Sequence, residues 1–246
     1  MQDDGGITVE VLARHGNKGP SSTESQQVVA VLHALKDVIV AEKLPVTPTS
    51  FFAAGFSAME KQETRSSVPV TLAMCTLLGI VLPRVPNNVL RAKWVGATTL
   101  MTTLLQEQHQ QPQVCKAALL VLSQLMGACD PSQEAWPHAA GPWAVLLAFL
   151  TDPRAKVRKR ASQGVVEVLA GLQAHPAALS AASDALAKLV GSVLAGPEAA
   201  ARAAAAASSK ARGPAEEAIT RAVTSALHIL GMQRDALPLM AAGATK

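Results

Sequence analysis

Apolar residues recur at steps of three and four along most of the chain, and Pro, Gly or Asn punctuates the runs, the signature of short amphipathic helices. In residues 26–42, QQVVAVLHALKDVIVAE, the stripe is Val29, Leu32, Leu35 (or Lys36) and Ile39, closed by Pro45 and Pro48. Further blocks of the same kind fall at 49–62, 67–82, 88–108, 112–127, 140–151, 154–172, 176–194 and 214–236. Trp94 belongs to one such stripe with Leu90, Ala97 and Met101. No run alternates with period two, so no strand is predicted, and the expected fold class is all-α. Short connections make successive helices packed neighbours.

Helix pairs of this size recur at roughly 40–47 residues in HEAT and armadillo solenoids, so about five pairs are expected between residues 25 and 240. The clearest pair is LLAFLTDPRAKVRKRASQGVVEVLAGL, residues 146–172. Asp152-Pro153 turns one helix into the next, and Val157, Ala161, Val165 and Leu169 form an inner stripe at steps of four. Residues 1–24 mix Gly, Ser, Asp and Pro with little periodicity and read as a flexible arm, and 241–246 as a tail. Residues 195–213, AGPEAAARAAAAASSKARG, carry five consecutive alanines. Alanine favours helix but offers little surface to bury, so a mobile insertion is expected there.

Composition narrows the picture. The 246 residues are 49% hydrophobic and only 3% aromatic, with no Tyr, which suits close helix packing and leaves no platform on which bases could stack. The net charge of +4 permits an anionic partner without demanding one. Cys75, Cys115 and Cys129 form no CxxC pair and are an odd number, pointing to a reducing compartment. The N-terminus has no signal-peptide pattern, and the apolar stretch Val68–Leu82 falls short of a membrane span and reads as a core helix. Cys115, Cys129 and His138 are too few and too widely spaced for zinc. No GxSxG, HExxH or phosphate-loop glycine run occurs, so no enzyme, cofactor or small-molecule substrate is expected.

The densest charge lies at the start of the 154–172 helix, in Arg154, Lys156, Arg158, Lys159 and Arg160. Arg154, Lys156, Lys159 and Arg160 are candidates for contact with RNA phosphates or an acidic partner. The other readings are a solvated face and a nuclear-localisation use of KVRKR. Asp152 and Arg158 stand where HEAT repeats place an Asp–Arg ladder. Trp94, Trp136 and Trp143 are spaced as isolated core fillers.

Read in order, SFFAAGFSAMEKQETRSSVPVTLAMCTLLGIVLPRVPNNVL at 50–90 resembles the N-terminal region of the ribosomal RNA-processing protein 12 family. EAW at 134–136, the 146–172 pair, HPAALS at 175–180 and ALHILGMQRDALP at 226–238 fit the same family in the same order. The resemblance implies a nuclear and nucleolar HEAT-repeat scaffold, without catalysis, that binds pre-ribosomal RNA and assembly factors during rRNA processing and subunit maturation or export. The alternative it leaves open is a nuclear transport adaptor that binds a receptor or small GTPase.

Overall fold

The computed structural model describes residues 6–16, 23–129 and 136–206, together with scattered helical positions between 217 and 238. Among the described residues there is no strand, and the chain is all-α. It divides into two compact units, Met1–Cys129 and Asp130–Lys246, where one continuous array over 25–240 was expected.

In the first unit the helices are α1 (Ile7–Val11), α2 (Thr23–Ala41), α3 (Pro48–Glu60), α4 (Gln62–Ser66), α5 (Val68–Val81), α6 (Asn87–Glu107) and α7 (Pro112–Gly127). Prolines occupy the first turns of α3, α5 and α7, where the missing N–H would have had no partner in any case. At α3 the N-cap Thr47 hydroxyl accepts from Ser50 N at 3.3 Å. Helix α5 is apolar nearly all round because α2, α3 and α7 all pack on it. It is the core helix the Val68–Leu82 stretch predicts, and the hydroxyl of its buried Thr71 donates to the carbonyl of Thr64 at 2.9 Å. Close approaches lie where Gly55 of α3 faces Leu78 and Met74 of α5, and where Gly79 of α5 faces Leu120 of α7.

Residues 7–16, assigned by composition to a flexible arm, are instead helical and docked. Ile7 and Val11 are fully buried, and a π-helical turn follows at Leu12–Gly16. Glu10 accepts a charge-assisted bond from Arg84, which also donates to the Ile80 carbonyl at 2.6 Å. Two apolar residues at a four-residue step were enough to seat one turn of helix, a signal too short for periodicity to register. The remainder of the predicted arm, and the 241–246 tail, lie outside the described residues.

The second unit holds α8 (Trp136–Ala148), α9 (Ala155–Gly171) and α10 (Pro176–Ala206), with a 3-10 turn at Phe149–Thr151. Helix α8 starts earlier than the predicted 140 and runs through Pro142. Its Trp136 and Trp143 stand with ring centroids 6.4 Å apart and tilted, so they are a contacting pair rather than isolated fillers. The predicted stripe of α9 is exact in outcome: Val157, Ala161, Val165 and Leu169 are all fully buried. The described part of the Ala-rich stretch, 195–206, continues α10 and is no separate insertion, since alanine propensity carries the helix past Pro197. Residues 207–213 lie outside the described residues. Within α10, Pro176–Pro197 is long and apolar enough to cross a membrane by length and composition. Asp184 and Lys188 interrupt that stretch, in which Ala178, Leu179, Ala182 and Leu186 are buried where the helix packs on α8 and α9, and 28% of the apolar window is buried.

Candidate functional site

The basic cluster begins at the turn between α8 and α9. The Asp152 carboxylate accepts from Arg154 N at 2.8 Å, closing a tight local turn, and from Arg154 Nε and Nη2 at 2.8 and 2.6 Å. The Asp152 side chain is only 8% exposed. That burial pushes its carboxyl up, but the side-chain and backbone bonds from Arg154, with the charges of Arg154 and Arg158, outweigh it and hold the group below the usual carboxylate range. The Arg154 guanidinium is thus engaged with Asp152, with its side chain 28% exposed.

Arg158 does meet Asp152, but at the main chain. Its Nη1 donates to the carbonyls of Asp152 and Pro153 at 2.7 and 2.9 Å, tying the turn to the first coil of α9. The carboxylate expected to form the ladder is taken by Arg154 instead, two residues away, because the Asp-x-Arg turn brings that guanidinium into bidentate reach.

The four proposed contact residues separate in the same way. Lys156 and Lys159, three residues apart on α9, are exposed and have no carboxylate partner among the described residues. Arg160, expected to project into solvent, has a side chain only 16% exposed that donates to Glu167 Oε2 at 2.6 Å. The two are seven residues apart, two full turns along one face. A spacing of seven lies beyond the three- and four-residue steps that mark neighbouring pairs on a helix.

Beyond the cluster, α9 forms one wall of a groove of about 820 Å³ whose other side is lined by Leu227, His228 and Gly231. Arg158, Lys159 and Gln163 line it with Ala155 and Val166, and Leu227 stands opposite, 65% exposed. Ser162 closes the floor: its hydroxyl donates to the Arg158 carbonyl at 3.0 Å and lies 2.7 Å from His228 Nε2. Burial, and then the charge of Arg158, lower the His228 pKa against the opposing effect of a bond to the Arg158 backbone, so the imidazole is neutral at pH 7. No local pattern foretold this pair, whose members are 66 residues apart.

Among the described residues no three His, Cys, Asp or Glu side chains come together as metal ligands. The three cysteines are buried and outside any disulfide, with the Cys75 thiol pushed up to about 12 by burial and so unreactive.

Successive helices packed through apolar stripes, with an Asp-Pro turn and a basic second helix in the clearest pair, define a helical-repeat protein of the HEAT class. The chain belongs to the RRP12-like family, whose N-terminal HEAT repeats match residues 1–246. It is 28% identical over 236 residues to the RRP12-like protein of Homo sapiens and 28% identical over 237 residues to that of Gallus gallus, each alignment covering 92% of this chain. The alignments cover 16% of the length of either relative.

Proposed function

We propose that this chain is a non-catalytic scaffold of ribosome biogenesis in the nucleus and nucleolus, binding pre-ribosomal RNA and assembly factors during rRNA processing and subunit maturation or export. The observation that carries the reading is the family match along the whole chain. Two local features support it. Lys156 and Lys159 present uncompensated charge on one face of α9, as phosphate contacts require. Trp94, Trp136 and Trp143 are all under 9% exposed and committed to packing, so RNA contact is to phosphates rather than to stacked bases.

The test is crosslinking in isolated pre-ribosomal particles, paired with RNA binding by the chain across a salt series. The expected result is crosslinks to ribosomal RNA, with affinity falling steeply as salt rises. A salt-resistant complex with a transport receptor or small GTPase, with no RNA crosslinked, would overturn this reading in favour of a transport adaptor.

A further inference from the structure

The groove between α9 and the residues Leu227, His228 and Gly231 is built differently from a phosphate track. Its rim carries Arg158 and Lys159, but Ala155, Val166 and Leu227 give it aliphatic surface. A nucleic-acid strand leaves such aliphatic surface uncovered, since bases stack on aromatic or planar guanidinium faces and not on Ala, Val or Leu side chains. Leu227, at 65% exposed, is a large apolar side chain beside two cations, an arrangement that favours a partner with aliphatic anchors and negative flanks. The one acid on the wall, Glu167, is engaged by Arg160, so the rim keeps a positive balance. The contact between Ser162 and His228 joins the two sides of the groove before any partner arrives, which lowers the ordering cost of binding. At about 820 Å³ the groove is within the size range of pockets that bury compact ligands, enough for a few anchor side chains and too small for a duplex.

We propose that this groove docks an acidic peptide segment of a protein partner, with Leu, Ile or Val side chains against Val166 and Leu227 and Asp or Glu side chains facing Arg158 and Lys159. This extends the scaffold reading, on which it rests only for the expectation that partners include proteins.

The probe is a fluorescent peptide, DELLEELLDE, titrated against the full chain by anisotropy, beside DESSEESSDE and a twelve-nucleotide polyuridylate. The leucine peptide should bind at least about tenfold more tightly than the serine peptide, the gain of burying one or two aliphatic side chains. Leu227→Ser, at an exposed position that leaves the fold intact, and Lys159→Glu should each weaken it by about tenfold or more, and Leu227→Ser should leave polyuridylate binding unchanged. Equal binding of the two peptides, indifference of the leucine peptide to Leu227→Ser, or an equal loss of polyuridylate binding in Leu227→Ser would each overturn the assignment. Those failures would leave rRNA crosslinks in pre-ribosomal particles untouched, whereas loss of the crosslinks would sink the scaffold reading and not the groove.

Discussion

The indole Nε1–H of Trp94 in α6 donates to the main-chain carbonyl of Leu125 in α7 at 2.7 Å. That carbonyl lies in the last turn of α7 and also accepts from Ala128 N, so a tryptophan from one helix completes the end of the next. In the second unit the Trp143 indole likewise donates to a main-chain carbonyl, that of Ala182 at 3.2 Å, but within α10 rather than at a helix end. Trp94→Phe should keep the ring in its stripe and lose the bond, lowering stability by about 1–2 kcal/mol in urea unfolding. A change under about 0.3 kcal/mol would mean the bond contributes nothing beyond packing.

Asp152→Asn should cost about 2 kcal/mol at pH 7, because it weakens charge-assisted bonds at a side chain that is 8% exposed. The sign with pH follows from the lowered folded-state pKa. The unfolded chain takes up the proton first as pH falls, so the stabilisation is complete above the unfolded value near 3.8 and disappears as pH drops through the folded one. Wild type and variant should therefore converge in acid, read as unfolding midpoints from pH 7 to pH 2.

Two glycines should respond oppositely to alanine. A Cβ on Gly55 would lie 3.0 Å from Leu78 Cδ2 and 3.6 Å from Met74 Sδ, both in side chains under 5% exposed and unable to yield, so Gly55→Ala should cost about 1–3 kcal/mol. On Gly79 the clash, at 2.9 Å, is with the free end of half-buried Leu120, which can swing away. Helix propensity then offsets the strain by up to about 1 kcal/mol, and Gly79→Ala should be near neutral in thermal unfolding.

For RNA, Lys156→Glu with Lys159→Glu should weaken binding and flatten its salt dependence by roughly the two phosphates lost, at less than about 0.5 kcal/mol each in stability. Arg160→Glu should act through the fold instead, setting like charges on Glu167. An unchanged salt slope in the lysine pair would make them a solvated face.

The helices were legible wherever burial follows the 3.6-residue period. Leu90, Trp94, Ala97 and Met101 are all buried as their spacing requires, and so is the α9 stripe. What escaped was pairing at a distance. Nothing around Glu10 announces Arg84, and Arg160 looked free because Glu167 stands two turns on. Asp152 and Arg158 were rightly brought together, but which oxygen the guanidinium meets depends on turn geometry that the residue types do not specify.

The bond between Glu10 and Arg84 joins residues 74 apart. A ribosome adds about 5–20 residues each second, so α1 leaves the tunnel several seconds before its partner on the 3-10 turn at Leu82–Arg84 exists. During that wait Ile7 and Val11 can meet α2 but not α5, on which α1 also packs. The seating of α1 is thus completed only after α5 and its following turn exist, and a nascent chain stalled before Arg84 should expose to chaperones part of the apolar face of Ile7 and Val11 that the folded unit conceals.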